Sequence, residues 1–450
     1  MVKTIKLRKG LDINLRGKPS AELFEVPQAD AYALMPDDFV GVTPKAVVKE
    51  EESVKAGTAL FIDKNHPEVK FVSPVSGVVL GVDRGERRKI LTIRVKPDKE
   101  QSYVDFGKKD VAKLTPDEVK LALMEAGIFG FIKQRPYDVV AEPENKPKAI
   151  FVSAFDSKPL APDFDFILKG QEADFQTGID ALAKLAPVYL GVSVKQHSSV
   201  LTNIQHATVT LFDGPHPAGN VGVQIHHVNP INKGEVVWTL GAEEVLFVGR
   251  LFNLGHVDFT RTIALTGSEV KSPAYSKVIL GTQLTSLLKN RITDSKPLRI
   301  IDGNVLTGRP VSDEAFLGAH STQVTVIPEG SDVNEMFGWI MPRFKDFSVS
   351  RSYFSWLFGK KKEYVLDARV KGGERHMIMS NEYDRVLPMD ILPEFLIKAI
   401  IAGDIDRMEA LGIYEVAPED FALCEFVDSS KLELQHLVRE GLDALRAEMC

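Results

Sequence analysis

Between residues 149 and 264 strand-like and helix-like patterns alternate, and this alternation restricts the fold more than any other stretch. Residues 149–155 read as a strand, 171–186 as a helix closed by Pro187, and 188–194 as a strand again. Residues 207–212 form a short buried strand rich in β-branched side chains. A helix over 241–253 and a strand over 259–265 complete an α/β unit. Inside it, Gly214-Pro215-His216-Pro217-Ala218-Gly219 separates a strand from an apolar run that carries Gly222, His226 and His227. A glycine-rich loop before a helix start can offer bare backbone N–H groups to an anion or a planar ring. An active centre is expected there if the chain has one.

The chemistry of that stretch is otherwise thin. No G-x-G-x-x-G follows the first strand, no Walker-type Gly-Lys-Ser/Thr occurs, and Gly214-x4-Gly219-x2-Gly222 is not a dinucleotide fingerprint. Of the 10 histidines, His206, His216, His226 and His227 fall here, with His197 and His256 flanking. His226 and His227 are adjacent and point in different directions on any regular element, and no H-E-x-x-H supplies a base. They read as hydrogen-bonded structural groups, with a polar contact to a ligand or partner as the alternative; no metal site is expected.

A chain of 450 residues exceeds one core and implies about three or four domains. The net charge of −7 argues against nucleic acid, which needs a basic face. No apolar run approaches the ~18 residues of a membrane span, and the first ten residues lack a signal-peptide core, so a cytoplasmic location is expected. With only 2 cysteines, Cys424 and Cys450, neither a disulfide framework nor a C-x-x-C cluster motif is available.

Upstream, residues 1–40 are a strand-like lead-in, and two glycine-turned hairpins follow over 47–61 and 71–82. The pair resembles the lipoyl/biotinyl barrel-sandwich fold. Lys64 is its one candidate carrier lysine, but Asn65-His66-Pro67 lengthen the segment, and a plain structural barrel is the preferred reading. Thr115-Pro116-Asp117-Glu118 starts a helix with a capping box, and Gly127 stops it. Residues 128–137 are too apolar for a free linker; they are a packed loop or part of a pocket wall. Residues 265–330 resemble a β-grasp module of the soluble-ligand-binding (SLBB) type. Residues 351–364, aromatics running into Lys360, Lys361 and Lys362, suit lipid head groups or an integral-membrane partner. Helices are expected at 391–402, 404–411, 418–427 and 430–447, the last with Ser430 and Glu433 as a capping box.

Residues 377–389 align with the iron–sulfur run C-x2-C-x2-C-x3-C-P: Pro388 matches, while Met377, Ser380, Tyr383 and Leu387 stand where the cysteines would be. These side chains cannot replace four thiolates around iron. GPHPAGNVG and SNEYDRVLPMDILP, with the barrel and β-grasp patterns, resemble the NqrA family of the Na+-translocating NADH:quinone reductase (Na+-NQR) along essentially the whole chain. That family is similar in turn to the flavin subunit of respiratory complex I and to the C component of the Rnf complex. The resemblance implies a multidomain α/β fold: a lead-in with a barrel-sandwich hybrid domain (1–100), a Rossmann-like domain (101–264), an SLBB-like domain (265–330) and a helical relic of a cluster domain (331–450). It implies a peripheral subunit on the cytoplasmic face of the bacterial inner membrane, docked on the membrane-embedded B component of a complex of six subunits. That complex oxidises NADH, reduces ubiquinone or menaquinone and exports Na+. The NqrA component is then associated with the quinone-reduction step, semiquinone to quinol, and binds no redox cofactor. NADH, FAD, FMN, riboflavin and iron–sulfur centres belong to partner subunits.

Two apolar segments are candidates for quinone contact: Tyr32, Leu34 and Met35, and Phe129, Phe131, Lys133, Arg135 and Tyr137. The aromatics would form a flat slot and the cations would donate to the quinone carbonyls. Gly214, His216, Gly219, Gly222 and His226 are read as a docking loop or a remodelled flavin loop. The rival functions are a soluble flavin- and NADH-binding dehydrogenase, a carrier modified at Lys64, and a zinc hydrolase built on the histidines.

Overall fold

A computed structural model describes residues 2–294, 297–333, 341–358 and 362–449. Lys360 and Lys361 of the expected basic run lie outside them. The α/β unit is built on a seven-stranded sheet. From one edge its strands are Lys3–Lys6, Ala207–Asp213, Val188–Ser193, Ala149–Ser153, Val237–Gly241, Lys133–Arg135 and Val139–Val140. The first five are parallel, and the last two add antiparallel. The lead-in is therefore split: its first strand edges this sheet.

The central strand is buried on both faces, as its apolar run requires. Ile150 and Val152 face helices Glu172–Leu185 and Ala242–Leu254; Ala149 and Phe151 face helix Val221–Val228. The two longer helices cross at glycines. A Cβ on Gly178 would stand 2.2 Å from the Val245 carbonyl oxygen, and one on Gly249 1.8 Å from that of Asp174.

The barrel departs from the expected hairpins. Residues Ser53–Val54 pair with Gly77–Arg84, while Ala59–Asp63 pairs with Pro44–Ala46 and Lys70–Val72. The 47–61 and 71–82 segments thus each divide between a four-stranded and a three-stranded sheet. Ser73 and Ser76 make the crossing, where backbone bonds to Thr58 and side-chain bonds to Val75 and Ser102 satisfy the turning chain. Phe61 and Phe71 stack between the sheets at 4.4 Å. Lys64 is exposed at the start of the turn between Ala59–Asp63 and Lys70–Val72, its N–H donating to the Thr43 carbonyl.

Helix Pro116–Glu125 carries the reciprocal Thr115–Glu118 capping box. The 128–137 segment is a buried 3-10 turn leading into a sheet strand. The strand expected over 259–265, seen as Thr260–Thr266, does not join the α/β sheet. It pairs with Ala274–Ile279 and Gln323–Pro328 in the five-stranded β-grasp sheet, around helix Leu284–Leu288.

The C-terminal helices are Pro393–Ala402, Ile405–Ala410, Ala422–Val427 and Leu434–Met449. Ser430 does not cap the last one. Its hydroxyl donates to the His376 carbonyl, and the Asp428 carboxylate takes the Ser430 and Leu432 N–H groups.

Candidate functional site at the carboxyl ends of the parallel strands

Strands Ala149–Ser153 and Val237–Gly241 are neighbours where the strand order reverses: the chain leaves the first to one side through helix Glu172–Leu185 and returns to the second through helix Val221–Val228 on the opposite face of the sheet. Open α/β sheets bind ligands at such a switch point. A cavity of about 570 Å³ opens there. Ser153 and Gly241 form its floor, with walls from the barrel (Asp38), the β-grasp unit (Asp302, Arg309, His320) and the C-terminal unit (Glu419, Arg439).

Its walls are charged and paired. Arg309 bridges Asp38 at 2.8 Å and Asp302 at 3.2 Å. Burial pushes Asp38 above the ordinary carboxylate range, against the pull of Arg309. Opposite, Glu243 and Glu244 open helix Ala242–Leu254 and meet the β-grasp strand. Glu243 accepts the Thr262 N–H at 2.9 Å, and Glu244 accepts from Arg261 at 2.5 Å. Burial raises Glu243 to about 7. Between the clusters His320 packs edge-on to Phe39 and Phe131, and burial holds it well below its usual value, hence neutral.

The third cluster lies at the start of helix Val221–Val228. Arg135 is wholly buried, its Nη1 2.8 Å from Asp420 and its Nη2 3.2 Å from Glu419. Lys158 stands 3.7 Å from Glu419 and 3.5 Å from Asp156. Burial works against the Lys158 charge, but the two carboxylates outweigh it and raise its pKa. Gly222 makes room for the pair: a Cβ there would lie 2.4 Å from Asp420 Oδ2 and 2.5 Å from Arg135 Nη1.

The glycine-rich loop does not present bare amides. His216 N–H donates to Asp12, Ala218 N–H to the Pro215 carbonyl, Gly219 N–H to Ser157 Oγ and Asn220 N–H to the Pro217 carbonyl. Burial, then the nearby Lys158, lowers His216 to about 4. It is neutral at pH 7, and its Nδ1 hydrogen-bonds with the Ser157 hydroxyl at 3.0 Å. Gly214 packs on Leu7, where a Cβ would come within 2.8 Å of the Leu7 Cβ. His226 is pinned on both sides: Nε2 accepts the Asp390 N–H at 3.0 Å, which leaves Nδ1 to donate to Glu415 at 2.8 Å. His227 Nδ1 bonds the Val223 carbonyl.

The residues expected near quinone are dispersed. Phe131 and Lys133 line the cavity. Phe129 is buried edge-on against Trp238, Tyr32 and Leu34 lie in the barrel core, and Arg135 is taken by Asp420 and Glu419. Met35 is half-buried just before the turn Pro36–Asp38, and Tyr137 packs on the C-terminal core. They form no single slot. The four cluster-run positions build packing: Tyr383 and Leu387 are in the C-terminal core with Cys424, Met377 packs at its margin, and Ser380 N–H donates to Glu394. Among the described residues, one group has metal-ligand spacing, His66 with Glu68 and Glu144, and it is largely exposed.

Sequence reasoning misses Asp420, Glu419, Lys158, Glu243 and Arg261. Arg261, a cation inside an otherwise apolar strand, is the available signal; Asp420 carries none, because its partner is 285 positions away.

Comparison with known proteins agrees with this architecture. Residues 5–98 match the family described as the NqrA N-terminal barrel-sandwich hybrid domain, 114–257 the NqrA second alpha/beta domain, and 262–313 the NQRA C-terminal domain. A relative from Haemophilus influenzae, the A component of a Na(+)-translocating NADH-quinone reductase, is 35% identical over 449 residues, covering 99% of this chain and 100% of the relative. Its counterpart from Serratia proteamaculans is 37% identical over 451 residues, with 99% and 100% covered. A solved NAD+-reducing nickel–iron hydrogenase in the H2-reduced state aligns with a TM-score of 0.40 at 14% identity, covering 75% of this chain and 62% of that one. The chain belongs to the NqrA family of the Na+-translocating NADH–quinone reductase.

Proposed function

We propose that the chain is the peripheral NqrA component of a Na+-translocating NADH–quinone reductase, seated on the cytoplasmic face of the membrane. It binds no redox cofactor and is associated with the quinone-reduction step, semiquinone to quinol. The observation that carries the docking half is an exposed aromatic surface. Phe354, Trp356, Leu357 and Phe358 are 51%, 47%, 60% and 59% exposed, with Phe344 at 45%. Arg351 lies 5.8 Å over the Trp356 ring and Lys362 4.6 Å over that of Phe358. Aromatics with a rim of cations suit a partner at the membrane–water boundary. The occupant is an integral-membrane subunit: the relatives are named as components of a Na(+)-translocating reductase, and no described helix of this chain is long and apolar enough to cross a membrane.

The cofactor-free half is supported by the hydrogen-bonded amides of the glycine-rich loop and by the paired charges in the cavity walls. Phe131 and Lys133 remain the candidates for quinone contact from this chain, and the other expected residues are committed to other contacts.

The test is co-purification of the chain with the membrane-embedded subunits. Trp356→Ser with Phe358→Ser should abolish recovery of the membrane subunits while the isolated chain keeps its circular dichroism. Recovery equal to that of the unaltered chain contradicts the docking site. Binding to protein-free anionic vesicles, lost in the same variant, would assign the surface to lipid instead.

A further inference from the structure

The first turn of helix Val221–Val228, with Arg135, has the makings of an anion site. Its helix has eight residues and its N-cap, Asn220, makes no side-chain cap. The positive end of a helix favours an anion. A guanidinium buried beside it adds a full charge. Arg135 has no exposed surface, and among the described residues its Nε has no hydrogen-bond partner. A buried arginine in such a place demands an oxoanion.

The chain supplies one itself. Asp420 Oδ2 takes Arg135 Nη1 at 2.8 Å and the Ala417 N–H at 2.9 Å. Both its oxygens lie against Gly222, 2.4 and 2.6 Å from where a Cβ would be, and Oδ1 is buried without a partner among the described residues. Asn220 Nδ2 donates to the Glu419 carbonyl and holds the segment in place. Gly219, Val221, Pro418 and Glu419 line the neighbouring cavity, and Arg135 and Asp420 are sealed behind them, next to a ligand-sized space.

We infer that the start of helix Val221–Val228, together with Arg135, is an oxoanion site whose resident ligand is the chain's own Asp420 carboxylate. The C-terminal unit is held on the α/β unit as an internal ligand. A phosphate-bearing molecule entering the cavity would have to displace it. None of this depends on the docking surface.

The experiment uses the full chain and inorganic phosphate. Asp420→Ala vacates the site and should melt about 5 °C or more below the parent in chloride buffer, since a buried arginine is left unpaired. Phosphate at equal ionic strength should restore at least half of that loss while moving the parent by less than about 1 °C. Asp420→Asn keeps the volume and removes the charge; it should melt low and show no phosphate gain. If Asp420→Ala does not fold, Asp420→Ser is read the same way, with phosphate uptake followed by titration calorimetry. Equal phosphate effects on the parent and the small-residue variant, or none on either, overturn the inference. A purified chain that carries flavin would defeat the proposed function without touching this result.

Discussion

Arg135 Nη1 and Asp420 Oδ2 meet at 2.8 Å with neither side chain exposed, across 285 positions of chain. The pair joins strand Lys133–Arg135, next to the edge of the seven-stranded sheet, to the turn Pro418–Phe421 of the C-terminal unit. Removing one partner of such a pair costs more than the pair contributes, because the survivor is a buried, unpaired charge. Arg135→Ala should therefore lower unfolding stability by about 3–5 kcal/mol, read by urea denaturation. Arg135→Lys should recover only part, since an ammonium cannot serve Asp420 and Glu419 in a fork.

A second contact between units responds to pH. Glu243 has its folded pKa raised to about 7 from 4.5, by burial first. The folded state thus holds a proton that the unfolded state releases. Its contribution is fully present below about pH 4.5 and is lost as pH rises through 7. The span is on the order of 3 kcal/mol. Glu243→Gln should flatten the fall in melting temperature between pH 5 and 8 relative to the parent. An unchanged slope would show that Glu243 does not hold that proton.

His226 ties helix Val221–Val228 to both Asp390 and Glu415. His226→Ala leaves the Glu415 carboxylate and the Asp390 N–H to find other partners, at a cost of about 1–3 kcal/mol. Limited proteolysis should cut faster near residue 390 in the variant. The same cutting rate in both proteins would remove His226 from the link.

The glycine crossing of helices Glu172–Leu185 and Ala242–Leu254 makes a purely steric prediction. A Cβ on Gly249 would sit 1.8 Å from the Asp174 carbonyl oxygen, so the helices must part. Gly249→Ala should destabilise by about 1–3 kcal/mol, while Gly373→Ala, which has nothing within 4 Å, should be nearly silent. Thermal melts of the two variants check the contrast.

What the sequence made legible was local. The Thr115–Glu118 box, the Gly127 stop and the strand–helix alternation of the α/β unit depend on neighbours a few residues apart, and the structure has them. Strand partners were not legible. The hairpins over 47–61 and 71–82 look complete as hairpins, but each divides between two sheets, a choice made by the shared core around Phe61 and Phe71. Likewise Thr260–Thr266 follows the α/β unit in sequence and pairs elsewhere, while Thr262 and Arg261 still bond back to Glu243 and Glu244 of helix Ala242–Leu254. Of the candidate site, the glycine-rich loop was legible as a loop, but the partners of its amides were not. Whether its amides are bare depends on Asp12 and Ser157, 204 and 62 positions away.

The most direct test of the account is reconstitution. Membranes holding the remaining subunits, but lacking this one, are supplied with the purified, colourless chain and assayed for Na+-dependent quinone reduction by NADH. The account predicts that the unaltered chain restores activity and that the Trp356→Ser, Phe358→Ser variant does not. Restoration by the variant, or a chain that must first be loaded with flavin to restore activity, would contradict it.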